Sequence, residues 1–118
     1  MNYGDDTGAA AGYTPTEVQQ RLARGAVGVL DIRDAREWAA GHIAGAVWIP
    51  FATLEARLDE LDEDMEWVCV CPVGRISELA ADILCDAGFT ATNMRGGLLA
   101  WSRLRLPLDK GPHGAARP

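Results

Sequence analysis

The chain has 118 residues, 48% of them hydrophobic, which is enough for one compact core and too few for two ordinary domains. Its 11 basic and 17 acidic side chains give a formal charge of −6, the wrong sign for holding a polyanion along an extended face, so nucleic acid is not an expected partner. Residues 1–12 contain no apolar run typical of a signal peptide or a membrane span. We therefore expect a cytoplasmic protein with no membrane association. One domain over residues 13–109 is predicted, with flexible segments at 1–12 and 110–118.

The first half of the chain predicts two helices and two strands. Thr14-Pro-Thr-Glu17 has the pattern of a capping box with proline in the first turn, and it predicts a helix that ends at Gly25. Val27–Ile32 is an apolar, β-branched run typical of a buried strand, and Asp34 can cap the short helix that follows it. A second short strand is predicted over residues 46–49.

The second half of the chain predicts the longer elements. Apolar residues recur at helical spacing from Phe51 to Leu61, and a third strand is predicted over Trp67–Val70. A helix is predicted over Ser77–Ala87, with an apolar stripe formed by Ile76, Leu79, Ala80, Ile83, Leu84 and Ala87. Residues 89–94 predict a last strand and residues 97–103 a last helix. Strands that alternate with helices indicate an α/β fold with a parallel sheet, in which sites lie beyond the carboxyl ends of the strands.

Cys71 stands at such a strand end and begins the segment Cys71-Pro-Val-Gly-Arg-Ile-Ser77, here called the Cys71 loop. A tight loop at a helix start gathers unpaired N–H groups and the positive end of the helix dipole, so it can stabilise a thiolate nucleophile. Gly74 permits the tight turn, and Arg75 adds a positive charge. We therefore predict that Cys71 is catalytic and that the rest of the loop binds the substrate: Pro72, Val73, Gly74, Arg75, Ile76 and Ser77.

The other two cysteines have simpler interpretations, since three cysteines in a chain without a predicted export signal suggest reduced thiols. The Cα atom of Cys69 should lie about 6.6 Å from that of Cys71, near the outer limit for a disulfide, so a redox pair is the weaker alternative. Cys85 lies beside the apolar stripe and is expected to pack in the core. A metal site that joins the cysteines to His42 lacks the paired spacing of structural zinc sites. The sequence contains no nucleotide-binding or metalloprotease motif either, so neither a metal nor a cofactor is expected.

Three blocks of sequence, in the right order, resemble the rhodanese-like domains. The first block is Leu30-Asp-Ile-Arg33 with Glu37-Trp38 and Gly41-His-Ile-Ala-Gly-Ala46, the second is the Cys71 loop, and the third is Arg95-Gly-Gly-Leu-Leu-Ala-Trp101. The resemblance covers about residues 13–108. It implies a three-layer fold in which about five parallel strands lie between helices. It also implies that Cys71 takes a sulfane sulfur from a small anionic donor such as thiosulfate as a persulfide. The sulfur then passes to a thiophilic acceptor such as cyanide or a thiol, and a sulfur-relay protein is a further candidate partner.

The Cys71 loop departs from the polar sequence Cys-Arg-Ser-Gly-x-Arg-Ser that many members of the family have. Pro72 and Val73 replace the polar pair, and Ile76 stands in place of the second arginine. Pro72 has no N–H group to offer the sulfur. Arg75 is then the only cation of the loop, and we predict that it raises the affinity for an anionic donor. Three more arginines near predicted strand ends are candidates for attracting the same donor, namely Arg33, Arg36 and Arg95.

The polar residues of the first block are interpreted as structural. We expect these residues to hold strand ends and turns, namely Asp31, Arg33, Glu37 and His42, and we expect Trp101 in the core.

Two further functions are alternatives to an enzyme that transfers sulfur. One is a non-catalytic binding or sulfur-carrier module that acts through a partner protein. The other is a phosphatase or arsenate reductase of the same fold, which would need an arginine at the position of Ser77.

Overall fold

Four parallel strands form the central sheet of the computed structural model, which describes residues 12–112. They are β1 (Gly28–Asp31), β2 (Val47–Trp48), β3 (Glu66–Val70) and β4 (Thr90–Asn93). The sheet order is β2-β1-β3-β4, so β3 is an inner strand, as predicted.

The sequence suggested about five strands, and the described residues form four. Tyr13 makes only an isolated parallel bridge to Met94, beyond the end of β4. On the C-terminal side of Tyr13 the pairing cannot continue, because the capping box at Thr14 starts a helix at Pro15.

Four α-helices accompany the sheet within residues 12–112: α1 (Pro15–Ala23), α2 (Ala35–Ala40), α3 (Ile76–Asp86) and α4 (Gly97–Arg103). The Thr14 side chain accepts a hydrogen bond from the Glu17 amide, and the Glu17 carboxylate accepts one from the Thr14 amide, which confirms the predicted capping box. Asp34 caps α2 by accepting a hydrogen bond from the Glu37 amide at 2.8 Å, as expected. Both caps stabilise their helices by pairing an amide that the first turn leaves without a partner.

The segment with apolar spacing from Phe51 to Leu61 does not form an α-helix. It forms two 3₁₀ segments, Phe51–Thr53 and Glu55–Glu60, and the backbone of Arg57 leaves helical geometry with φ near −121°. Leu54 and Leu61 are buried and attach the segment to the core at two separate points. Short i→i+3 turns suit such a connection, because 3₁₀ helices are stable only in short pieces.

Two apolar layers cover the two faces of the sheet, which confirms the predicted three-layer arrangement. Successive strand residues point to opposite faces. One layer packs strand side chains against α1, α2 and α4, through Val18, Val29, Trp38, Val68, Val70, Leu98 and Trp101. The other packs strand side chains against α3 and the 3₁₀ segments, through Leu30, Leu54, Trp67, Cys69, Cys71, Ala80 and Leu84. Trp101 is therefore a core residue, as expected.

The apolar stripe predicted for α3 is only partly correct. The buried residues of this helix are Ser77, Ala80, Ala81 and Leu84. Ile76 and Leu79, which the stripe included, are 43% and 52% exposed. Ser77 contacts the Cys71 sulfur at the start of the helix, so the face toward the sheet begins at Ser77 rather than at Ile76.

The end of the described chain is held by contacts with α2. The Gly111 amide donates to the Ala39 carbonyl oxygen at 2.9 Å, and the Trp38 indole donates to the Pro112 carbonyl oxygen at 3.2 Å. Most of the two predicted flexible segments, residues 1–11 and 113–118, lies outside the described residues. Between residues 12 and 112, none of the helices is both long enough and apolar enough to span a membrane.

Candidate active site

Cys71 follows the last residue of β3 and is 1% exposed. Its sulfur accepts hydrogen bonds from two backbone amides of the loop, that of Gly74 at 3.2 Å and that of Ser77 at 3.3 Å. The Ser77 hydroxyl oxygen also lies 3.3 Å from the sulfur and accepts a hydrogen bond from the thiol. When the sulfur is a thiolate, the hydroxyl can reverse this bond and donate instead.

The two amides belong to the loop and to the first turn of α3, an eleven-residue helix. Their N–H groups have no carbonyl partner within the helix, so they are free to bind an anion. The positive end of the helix dipole acts in the same direction. The prediction that this helix start faces the Cys71 sulfur is confirmed, and the arrangement can stabilise a negative charge on sulfur.

A buried asparagine at the end of the neighbouring strand β4 holds the Cys71 loop in place by a hydrogen bond. Asn93 is 3% exposed, and its side-chain amide donates to the carbonyl oxygens of Gly74 and Met94, both at 3.3 Å. Gly74 has a left-handed φ of 88°, which a residue with a side chain rarely adopts. Holding its carbonyl fixes the orientation of the peptide and keeps the Gly74 amide directed at Cys71. Asn93 was not among the residues predicted from the sequence, although its place at the carboxyl end of β4, next to β3, was an available signal.

The third sequence block also supports the loop. The Leu98 amide donates to the Cys71 carbonyl oxygen at 2.9 Å, and the Leu99 amide donates to the Pro72 carbonyl oxygen at 3.0 Å. A Cβ atom at Gly97 would lie 2.4 Å from the Cys71 carbonyl oxygen, closer than atoms can approach. Glycine is therefore needed here, because the start of α4 packs directly on the backbone of the catalytic candidate.

The first sequence block is largely structural, as expected. The Arg33 guanidinium binds the buried Asp31 carboxylate, with a shortest distance of 2.8 Å, and also donates to the Gly41 carbonyl oxygen at 2.7 Å. His42 is buried, with its ring stacked on Trp38 at 3.6 Å between centroids and Nδ1 2.7 Å from the Trp38 carbonyl oxygen. These contacts tie the end of β1 to α2.

A cavity of about 350 Å³ opens in front of Cys71. Three segments distant in sequence line it, and their lining residues are Ile32, Arg33, Asp34 and Glu37, then Pro50, Phe51 and Ala52, and Cys71, Pro72 and Ile76 of the loop. Glu37 contributes to this lining, so it is not confined to the structural role that we expected.

The other predicted loop residues lie outside the cavity lining. Gly74 and Ser77 are buried and contact the sulfur from the helix side. Val73 and Arg75 are exposed, and neither belongs to the lining.

The remaining cysteines differ from Cys71 in environment, and all three cysteines are free thiols. Burial raises the pKa of the Cys69 thiol from 9.0 to about 12, because a thiolate there would lose its contact with water. Cys85 is exposed, and its thiol donates to the Ala91 carbonyl oxygen at 3.3 Å. The expectation that Cys85 packs in the core is therefore wrong, since the buried face of α3 runs through Leu84 instead.

A bound metal ion would need several ligating side chains at one place. No group of three or more histidine, cysteine, aspartate or glutamate side chains within residues 12–112 is placed to hold a metal ion.

The geometry agrees with the comparison to known families. The model of the rhodanese-like domain matches residues 14–104. The chain belongs to the rhodanese-like domain family. A crystal structure of a rhodanese-related protein from Thermoplasma volcanium has the same fold, with a TM-score of 0.79 and 24% identity over 84% of this chain and 97% of that one.

Two curated relatives show the settings in which such domains occur. The HTH-type transcriptional regulator Rv0324 of Mycobacterium tuberculosis is 39% identical over 101 residues, which are 83% of this chain and 44% of the regulator. The chain thus spans less than half of that protein. A protein named sulfurtransferase from Allochromatium vinosum is 36% identical over 81 residues, 68% of this chain and 76% of that protein.

Proposed function

We propose that the protein is a sulfurtransferase in which Cys71 accepts a sulfane sulfur as a persulfide and passes it to a thiophilic acceptor. The observation that carries this proposal is the convergence of the Gly74 and Ser77 amides on the Cys71 sulfur. A core cysteine has no need of such donors, whereas a nucleophilic sulfur and the persulfide formed from it are both anions that the donors stabilise. The similarity to a protein named sulfurtransferase supports the same reaction class.

With thiosulfate as the donor, the reaction has two steps. The Cys71 thiolate attacks the outer sulfur of thiosulfate, a new S–S bond forms, and the old S–S bond breaks as sulfite leaves with its electron pair. Cyanide then attacks the outer sulfur of the persulfide, thiocyanate leaves, and the Cys71 thiolate is restored. The amides of Gly74 and Ser77 hold the sulfur of Cys71 through both steps.

The remaining loop residues shape the approach to the sulfur. Pro72 and Ile76 belong to the cavity wall and contact the donor. Arg75 adds positive charge near the site, and Val73 forms part of the surrounding surface. A protein of this kind needs reduced thiols, which agrees with the cytoplasmic location predicted from the sequence.

A second candidate is a sulfur-carrier or binding module that works through a partner protein. Three apolar side chains in and beside the Cys71 loop favour it: Val73, Ile76 and Leu79 are 49%, 43% and 52% exposed. Apolar side chains grouped on a surface are typical of protein interaction sites. The relative in which a similar domain makes up 44% of a transcriptional regulator fits such a role.

A phosphatase or arsenate reductase is not supported. Such an enzyme needs a guanidinium that grips the oxyanion in a bidentate manner. The position that would supply it is Ser77, which is fully buried and donates its amide to the Cys71 sulfur.

Mass spectrometry of the intact protein tests the proposal. Incubation with thiosulfate should add about 32 Da at Cys71, and cyanide should remove that mass as thiocyanate. The Cys85→Ser variant is the matched control, because Cys85 is exposed and could take up sulfur without catalysis. Loading that persists in Cys85→Ser and is absent from Cys71→Ser supports the sulfurtransferase. If Cys71 takes up sulfur from no sulfane donor, the binding module is the better description.

A further inference from the structure

The cavity in front of Cys71 is larger and less polar than a small oxyanion requires. Its volume of about 350 Å³ is in the range of sites for organic ligands. Apolar side chains form most of its wall, including Ile32, Phe51, Pro72 and Ile76. A thiosulfate ion offers no carbon surface to these side chains, and their presence would cost it part of its hydration.

The charges in the wall of the cavity also disfavour an anionic donor. Arg33 is a cation in the wall, but its guanidinium is paired with the fully buried Asp31 carboxylate and donates to the Gly41 carbonyl oxygen. Asp34 and Glu37 line the same wall, and no ion pair within residues 12–112 involves either carboxylate. Charges near an apolar wall are screened less than in bulk water, so both carboxylates repel an incoming anion.

We infer, on the basis of the proposed function, that the preferred sulfur donor is an organic persulfide whose carbon skeleton is apolar and carries no negatively charged group of its own. Asp34 and Glu37 are the residues that determine this specificity. The apolar wall contacts the carbon skeleton of the donor, and the two carboxylates reject donors that carry a carboxylate or a sulfonate.

The chemistry of the step remains that of sulfane transfer. The Cys71 thiolate attacks the outer sulfur of the donor R–S–SH, and a new S–S bond forms on Cys71. The S–S bond of the donor breaks, and the thiolate R–S⁻ leaves with the electron pair. The proton stays on the transferred sulfur, so the products of this step are the Cys71 persulfide in its S–SH form and one thiolate. The persulfide then releases its proton to water and becomes the anion that the loop amides stabilise.

A matched pair of donors tests the inference. The persulfide of N-acetylcysteine carries one carboxylate, and the persulfide of N-acetylcysteine methyl ester has the same skeleton without that charge. We expect kcat/KM of the full-length protein for the ester to exceed that for the acid by about tenfold or more, with thiosulfate the poorest donor. The rate of gain of about 32 Da at Cys71 measures the transfer for each donor.

Substitutions at the two carboxylates locate the source of the discrimination. Asp34→Asn keeps the cap of α2, because asparagine is as good an N-cap as aspartate, and Glu37→Gln keeps the shape of the wall. Together they should reduce the preference for the ester to about twofold, mainly by raising kcat/KM for the acid. Glu63→Gln is the control, since this exposed carboxylate precedes β3 at the opposite end of the strand from Cys71, and it should leave the preference unchanged.

The outcomes separate the two proposals. If the wild type uses the acid or thiosulfate as well as the ester, the specificity is wrong while the sulfurtransferase stands. The assignment to Asp34 and Glu37 is also wrong if the double variant keeps the full preference. If none of the three donors loads Cys71, the proposed function itself fails, and the inference fails with it.

Discussion

Cys69 and Cys71 are separated by one residue, and both side chains enter the same apolar layer of the sheet. Both are almost fully buried, at 0% and 1% exposure. The Cys71 sulfur nevertheless meets the amides of Gly74 and Ser77, whereas Cys69 lies within β3, one residue before the strand ends. A shift of two residues along one strand therefore changes the surroundings of the sulfur from the interior of the sheet to the start of a helix.

The comparison teaches that burial alone does not determine the reactivity of a thiol. At Cys69 burial removes water and supplies no compensating donor, so the thiol pKa rises to about 12 and the proton stays on sulfur at neutral pH. At Cys71 two N–H groups take the place of water around the sulfur. The carboxyl end of the strand is the place where backbone amides become available for this purpose.

The largest expected effect comes from replacing one cysteine or the other with serine. Cys71→Ser should lower thiocyanate formation from thiosulfate and cyanide by about a thousandfold or more, because a hydroxyl neither ionises at neutral pH nor stores sulfur. Cys69→Ser should change turnover less than about twofold and lower the free energy of unfolding by about 1–3 kcal/mol, because it buries a hydroxyl. Steady-state assays and urea unfolding of both variants measure the two effects. If Cys69→Ser lost the activity and Cys71→Ser kept it, the nucleophile would be Cys69.

The next largest effect concerns the backbone that holds the Cys71 loop. Gly97→Ala would place a Cβ atom 2.4 Å from the Cys71 carbonyl oxygen, so helix α4 has to move away from the loop. We expect a loss of about 2–4 kcal/mol in the free energy of unfolding, together with lower sulfur transfer in the folded fraction. Urea unfolding and thiocyanate assays of the variant measure the two losses.

Gly25→Ala is the matched control for this backbone test. Gly25 has a left-handed φ of 72°, close to the 65° of Gly97, but a Cβ atom there meets nothing within 4 Å. The free energy of unfolding of this variant should fall by only about 1 kcal/mol, which is the cost of a left-handed backbone at alanine, and the variant should keep full activity. Equal losses of stability and activity in the two variants would show that contact with the loop is unimportant.

A smaller effect follows from the pKa of Cys69. Burial raises this pKa from 9.0 to about 12, so above pH 9 the unfolded chain releases a proton that the folded chain keeps. The contribution of Cys69 to the free energy of unfolding is therefore constant below pH 9. As the pH rises from 9 toward 12, the free energy of unfolding falls by about 1.4 kcal/mol per pH unit. Urea unfolding between about pH 8.5 and 10.5 should show a shallower fall for Cys69→Ala than for the wild type. Equal slopes for the wild type and Cys69→Ala would contradict the assignment.

Local signals explain which parts of the fold could be predicted from the sequence. The capping box at Thr14, the cap at Asp34 and the apolar runs of the inner strands depend on neighbouring residues, and the structure confirms them. The position of Cys71 at a strand end followed from the same local pattern. The helix start that faces the sulfur follows from the α/β pattern as a whole, whereas the full order of the strands was not predicted.

The rest of the site depends on contacts between distant segments, which a local pattern does not contain. Asn93 reaches the carbonyl of Gly74 across 19 positions of sequence, and the start of α4 packs on the Cys71 backbone from a still later element. Three separate segments form the cavity, so the sequence alone did not predict that Glu37 lines its wall. The apolar spacing on α3 also gave a wrong prediction at Ile76, because the contact of Ser77 with sulfur determines which face of the helix is buried.

The smallest expected effect is that of Arg75, the loop cation predicted to attract an anionic donor. Its side chain is exposed and lies outside the cavity wall, so it can act on thiosulfate only through solvent and at a distance. At low salt Arg75→Ala should raise KM for thiosulfate about twofold to threefold with kcat unchanged, and the difference should vanish near about 0.5 M salt, where the Debye length is only about 4 Å. Arg103→Ala removes the same charge from the far end of α4 and should have no effect on KM. An unchanged KM for Arg75→Ala at every salt concentration would show that steering by Arg75 is absent. The electrostatic interaction between the protein and the donor would then come from the cavity wall, where Asp34 and Glu37 contribute negative charge.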